Sequence, residues 1–262
     1  MTLTWKTQEP LKGSGIIVGC DAAQEWMLPW WWEKYSESNT LPVAFIDFGL
    51  SAGARAFCQE RGSLLDLFLP ETFTPQQQQV PSSLQTLWKD TFEWKDDPFW
   101  WNKRMKCHYK PFALLMSPYE QTLWVDVDCE VCADLTSLFK RISSKNTIYM
   151  TPRTEATQKS YLEQGITLAE EVGYNSGVIG FHYGSELVLR WAEKTLTEHP
   201  FFISDEDLFS RLAFLEKWDV EHLDQFFNWL PHFRGFHPEA KINHWVGNSG
   251  KFFLSLRMQK IL

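Results

Sequence analysis

The sequence has no uninterrupted apolar run approaching the roughly 20 residues that a bilayer-spanning helix needs, which sets a membrane-embedded protein aside. A charged-then-apolar opening of the secretory kind is also missing, and the five cysteines, Cys20, Cys58, Cys107, Cys129 and Cys132, are odd in number. The expectation is a reducing, cytoplasmic setting and not a disulfide framework. Basic charge is scarce: 25 Lys and Arg stand against 33 Asp and Glu, for a formal net charge of −8. That excludes the basic footprint of a general nucleic-acid binder. Glycine-rich cofactor fingerprints are lacking as well, because Gly13, Gly15 and Gly19 fit neither the dinucleotide nor the P-loop spacing, which argues against a dehydrogenase or an ATPase.

Large side chains are plentiful. With 262 residues, 44% of them hydrophobic, and 14 Trp and 20 Phe, the chain can bury a substantial core as a single α/β domain over 1–262. A polar N-terminal arm covers 1–13 and a loop-rich insertion, marked by Pro75, Gln76 to Gln79 and Pro81, covers 70–98. Between them the order is strand (Gly15 to Cys20), helix (about Ala23 to Tyr35), strand (Pro42 to Phe48), helix (about Ala52 to Arg61) and a short strand near Leu64 to Leu69. Such alternation predicts a mostly parallel sheet flanked by helices, with ligands bound beyond the carboxyl ends of its strands. The cluster Trp30, Trp31 and Trp32 offers an aromatic surface for peripheral contact with the inner face of a membrane, although its neighbours suit a packed helix.

The stretch QTLWVDVDCEV, Gln121 to Val131, concentrates the chemistry. An apolar strand runs into Asp126 and Asp128, and alternate residues of a strand point the same way, so the carboxylates would lie roughly 6.5 Å apart on one face. Oxygen donors of this kind suit Mg²⁺ or Mn²⁺; the plain alternative is a strand-end turn. Asp21, after Gly19, is a candidate for the base or ribose of a nucleotide or else a helix cap. A helix from Asn102 to Met116 would place Lys103, Lys106 and Lys110 on one face, with Lys110 in reach of a phosphate beside Asp126. In YNSGVIGFH, Asn175 and Ser176 form a polar turn before a strand and Gly177 permits close backbone approach. Ser204 or Asp205 caps the run Leu208 to Glu216; Asp207 is structural, while Asp205 and Glu206 stay candidates for the site. His244 supplies a metal ligand that complements two aspartates, and Lys251 follows two glycines that allow a tight loop around phosphate. Cys129 and Cys132 form C-x-x-C, but zinc would need two more ligands.

Together these residues resemble the GT-A-fold (Rossmann-like), nucleotide-sugar-dependent glycosyltransferases, and within them the retaining family that includes glycogenin and bacterial lipopolysaccharide galactosyl- and glucosyltransferases. The resemblance runs from Gly15 to Phe253. It implies that Asp126, Asp128 and His244 bind Mn²⁺ or Mg²⁺, and that Gly19, Asp21, Lys110, Asp126, Val127, Asn175, Ser176 and Lys251 surround a nucleotide-sugar donor. It also implies that Asn175, Asp205 and Glu206 stand at the reacting centre. Glu206 departs from the glutamine of the family pattern, His244 is followed by Trp245, and Lys251 is displaced by one position. The implied activity is transfer of a hexose from a nucleotide-diphosphate sugar, a UDP-sugar by resemblance, to a glycan, lipid-linked or protein acceptor with retention. The rivals are an inverting transferase with Asp205 or Glu206 as base and a non-catalytic nucleotide-sugar or glycan-binding domain.

Overall fold

The computed structural model describes residues 11–74, 76–91 and 97–260; most of the expected arm, and Pro75 and 92–96 of the insertion, lie outside them. Nine strands are present among the described residues: β1 (Leu11–Cys20), β2 (Val43–Asp47), β3 (Ser63–Asp66), β4 (Tyr119–Val125), β5 (Cys129–Val131), β6 (Thr147–Pro152), β7 (Tyr174–His182), β8 (Asp219–His222) and β9 (Ile242–His244). Seven form one sheet in the order β3-β2-β1-β4-β7-β6-β8. Only β7 opposes its neighbours, pairing antiparallel with β4 and β6, while the remaining pairs run parallel. The mostly parallel, helix-flanked sheet expected from the alternation is therefore present. A second, two-stranded sheet joins β5 to β9 and sets Cys129 opposite His244.

Alternate residues of the central strands feed two cores. Ile16, Val18, Leu123 and Val125 face the helix Leu28–Ser36 with Trp31 and Tyr35, whereas Ile17 and Trp124 face Trp191 and Phe209. Burial on both faces is why these strands read as continuous apolar runs instead of alternating ones. Trp30 and Trp31 are buried in this packing, so they form no membrane-facing surface. No helix among the described residues is long and apolar enough to cross a membrane.

Three local expectations change. Strand β1 begins at Leu11, inside the expected arm. The single helix expected over Asn102 to Met116 is two, Trp100–Cys107 and Lys110–Leu115. Pro111 has no N–H and its ring would strike the carbonyl four residues back, so it suits the first turn of a new helix and not the interior of an old one. The insertion contains a helix, Ser82–Thr91, whose Trp88 packs with Val80, Trp100 and Ile203. The guanidinium of the fully buried Arg104 lies 4.6 Å from the Trp88 ring and 4.9 Å from that of Trp101, tying the insertion to the body of the fold.

Candidate functional site

The candidate residues gather where β1 and β4 end and β7 begins. Asp126 and Asp128 do not share a strand: they flank Val127 in the turn between β4 and β5. The turn is held by the Asp126 N–H donating to Gly177 O (2.9 Å) and the Cys129 N–H donating to Asp126 O (3.0 Å). Both carboxylates still reach one point, because His244 Nε2 lies 3.3 Å from Asp128 Oδ1 and 4.0 Å from Asp126 Oδ2. His244 can come this close only beside a glycine. A Cβ at Gly177 would sit 2.3 Å from His244 Cε1.

The remaining oxygens are anchored. Trp124 Nε1 donates to Asp126 Oδ1 at 2.6 Å, reaching from near the end of β4 to the first residue after it. Lys110 Nζ lies 3.0 Å from Asp126 Oδ1, donates to Asp126 Oδ2 at 3.1 Å, and donates to Ser176 O and Oγ at 2.9 Å each. Burial opposes the Lys110 charge, but Asp126 and Asp205 outweigh it and hold the ammonium protonated. Lys251 Nζ donates to Asp128 Oδ2 at 2.5 Å. Burial alone would raise the Asp128 carboxyl; Lys251 and His244 overcome it and hold that carboxyl well below the usual carboxylate range. Lys251 belongs to the helix Gly247–Met258, not to a glycine loop, and Gly250 lets this helix close against the backbone of Trp245.

Around this centre the other candidates take definite places. Asn175, Ser176 and Gly177 lie within β7 and form no turn. Asp205 opens the helix Asp205–Glu216, capped by Ser204 Oγ. It is 3% exposed, its Oδ2 has no hydrogen-bond partner among the described residues, and that atom is 3.9 Å from Lys110 Nζ. Burial pushes its carboxyl up to about 7 against the pull of Lys110. Glu206 is engaged at both oxygens, by Arg153 Nη2 (2.9 Å) and by the Ser176 N–H (3.0 Å). Asp21 spends Oδ1 on the Ala23 and Gln24 N–H groups and pairs Oδ2 with Lys106. Lys103 pairs with Asp97, and Lys110, in the next helix, does not share the face that Lys103 and Lys106 have in common. The Val127 side chain is buried in the core, and a Cβ at Gly19 would press on Phe48 and Trp124, which gives that glycine a packing role.

Several participants were not anticipated. Arg153, at the end of β6, pairs with Glu206 and with Asp207 (2.6 Å); a cation just after a strand was the available signal. Asn228 holds His244 Nδ1 at 2.8 Å, and nothing in the text around it marks it. Cys129, expected to be incidental, is buried in a group with Asp128 and His244 whose ligand atoms lie within 4.8 Å of one another. Burial, Asp128 and Asp126 push its thiol well up.

The donor set fits a divalent cation. Two carboxylate oxygens and an imidazole nitrogen converging on one point are donors of the kind that hold Mg²⁺ or Mn²⁺.

No protein-family model and no curated protein matches the sequence. In three dimensions the chain is similar to the galactosyltransferase LgtC in complex with donor and acceptor sugar analogues, at 13% identity and TM-score 0.57, covering 95% of this chain and 96% of that one. It is likewise similar to the glycosyltransferase GlyE of Streptococcus pneumoniae TIGR4 (17%, TM-score 0.57, 93% of this chain and 60% of that one). A third is mouse xyloside xylosyltransferase 1 (12%, TM-score 0.54, 91% and 98%). At these identities the likeness is one of fold, and the chain has the GT-A fold of these glycosyltransferases.

Proposed function

We propose that the chain is a metal-dependent glycosyltransferase of the retaining kind that includes glycogenin and the bacterial lipopolysaccharide hexosyltransferases. It would act in the cytoplasm, moving a hexose from a nucleotide-diphosphate sugar, a UDP-sugar by resemblance, to the hydroxyl of a glycan, lipid-linked or protein acceptor. The observation that carries this reading is the convergence of Asp126 Oδ2, Asp128 Oδ1 and His244 Nε2, framed by Lys110, Lys251 and the buried Asp205. A Mn²⁺ or Mg²⁺ ion held by Asp126, Asp128 and His244 would offset the charge that grows on a departing diphosphate. Lys110 and Lys251 set the carboxylates in place and add fixed positive charge beside them, so that little reorganisation is needed as the transition state forms. Asn175, joined through Asn228 to His244, and Asp205, 3.9 Å from Lys110, would orient the sugar, and an ionised Asp205 would favour positive charge developing at its anomeric carbon.

A second reading is favoured by one feature. Asp205 keeps Oδ2 without a hydrogen-bond partner among the described residues and titrates near neutrality, about 7, as a general base should. Glu206, with both oxygens engaged, is the poorer candidate. An inverting transferase would use Asp205 to take the acceptor proton, and the anomeric configuration of the product, read by proton NMR, separates the two. The first experiment is a thermal-shift screen of nucleotide sugars with and without Mn²⁺, followed by nucleoside-diphosphate release, since a ligand that binds the folded state stabilises it. Metal-dependent stabilisation by one donor, lost in Asp128→Ala, is expected. Tight donor binding without release or transfer would leave a non-catalytic binding domain.

A further inference from the structure

We propose that Asn228 is a positioning residue: it fixes the protonated nitrogen of His244, aims the lone pair of Nε2 at Asp126 and Asp128, and thereby sets the cation affinity of the site. The proposal rests on the reading that those three residues hold the divalent ion.

The argument is one of donors and acceptors taken in turn. A backbone N–H can only donate, and that of Gly177 donates to the Asn175 side chain at 3.0 Å, so the atom it meets is the amide oxygen. The same oxygen lies 2.7 Å from the Asn228 amide. It is already an acceptor, so Asn228 must present its NH₂ there. Its own oxygen is then the atom 2.8 Å from His244 Nδ1. An amide oxygen cannot donate, so Nδ1 carries a proton whatever the state of the other nitrogen, and when a cation is bound Nε2 is the nitrogen left to offer it a lone pair. One rigid backbone group, through two amides, decides the state of the imidazole.

The relay is built to hold. Asn175 contributes from β7, and Asn228 is 5% exposed, following the turn Gln225–Phe227 that Asp224 caps. Its flank is strapped to β9: the Trp229 N–H donates to Ile242 O at 2.9 Å and the His244 N–H to Trp229 O at 2.6 Å. A partner on the far nitrogen of a metal-binding imidazole orients the ring and fixes its tautomer, and losing such a partner typically costs about 10–100-fold in metal affinity. The relay also spends both lone pairs of Asn175 Oδ1 on Gly177 and Asn228. Asn175 therefore offers a ligand only its NH₂, which selects an oxygen acceptor on the bound sugar.

The test uses ¹⁵N-histidine-labelled protein without added metal, with the ring protons of His244 assigned by long-range proton–nitrogen correlation. Mn²⁺ affinity is measured in parallel from the paramagnetic resonance signal of the free ion. In the parent protein Nδ1 should be protonated. In Asn228→Leu, which fills the same space but accepts nothing, the proton should move to Nε2, facing Asp128, and Mn²⁺ affinity should fall about 10–100-fold. Asn228→Asp, which still accepts from Nδ1 but has no NH₂ for Asn175 Oδ1, should keep the proton on Nδ1 and bind Mn²⁺ more tightly than Asn228→Leu. An Nε2–H tautomer in the parent overturns the proposal without recourse to any variant, which covers the case of a leucine variant that does not fold. A folded Asn228→Leu protein with Nδ1 still protonated and Mn²⁺ affinity unchanged overturns it as well. A parent protein with Nδ1 protonated but no Mn²⁺ binding refutes the metal reading alone, so the two failures are distinguishable.

Discussion

Arg153 shows how one side chain sustains an acidic pair at the start of a helix. Its guanidinium is almost entirely buried and neutralises Glu206 and Asp207, while its carbon stands 4.5 Å from the Tyr161 ring centre. Burial works against the Arg153 charge, and Asp207 and Glu206 outweigh it. Removing one member of such a cluster leaves uncompensated buried charge, so Arg153→Met should destabilise the fold by about 3–5 kcal/mol, measured by urea unfolding. A much smaller loss would mean that water replaces the guanidinium. Gly177 matters for a steric reason. Because an added methyl would meet the His244 ring at 2.3 Å, Gly177→Ala should displace the imidazole and weaken Mn²⁺ binding by at least about tenfold in a protein that still folds. Titration calorimetry checks this, and parental affinity would show that the ring has room to retreat.

At the scale of elements, positions near the site are decided by where helices stop and start. The break before Pro111 sets Lys110, which reaches Asp126, apart from Lys103 and Lys106, which stay in the preceding helix and pair with Asp97 and Asp21. An unbroken helix would have aligned them. The helix Gly247–Met258 brings Lys251 to Asp128 because Gly250 lets it touch the Trp245 backbone, where a Cβ would stand 2.3 Å from the carbonyl carbon. Gly250→Ala must push the helix outward. The expected outcome is an overpacking loss of about 1–3 kcal/mol together with weaker donor binding, followed by thermal unfolding and by the donor-induced shift. A loss of stability with donor binding intact would uncouple Lys251 from the donor.

For the whole molecule the sheet order explains why the site lies where it does. β1 and β4 point their carboxyl ends, and the reversed β7 its amino end, toward one edge, so Asp21, Asp126 and Asn175 arrive together. Acid stability is also a property of the whole. His199 and His232 are held neutral by burial, each with its pKa pushed down to about 4, and His108 is pushed down too, again chiefly by burial. Between pH 6.5 and 4 the unfolded chain takes up protons at these three histidines that the folded chain refuses. Asp205 acts in the opposite sense, since it is protonated in the fold below about 7 and in the unfolded chain only near 3.8. Three groups against one leave the unfolded state binding more protons, so stability should fall as pH drops through this window. A melting temperature lower at pH 5 than at pH 7.5 is expected; a flat profile would show that the histidines are solvated.

Most of the framework was readable in the chain because the forces that set it are local. Apolar runs punctuated by glycine and aspartate foretold β1, β2 and the helices after them, and the apolar run before the aspartates foretold β4. The edge strand β8, of sequence DVEH, carries no such signal, since an exposed edge needs no apolar face. The helix Ser82–Thr91 was hidden among glutamines and prolines, because only burial against Trp100 and Ile203 reveals its apolar side. By itself the sequence determined the α/β order and the residue types on offer for a metal and a donor, since periodicity and side-chain chemistry are written residue by residue. Only the tertiary structure decided that two aspartates in a turn meet a histidine more than a hundred positions away. It alone set Asp205 beside Lys110, locked Glu206 to Arg153 and joined Asn228 to His244, because hydrogen bonds and burial between distant segments exist only once the sheet has brought those segments together.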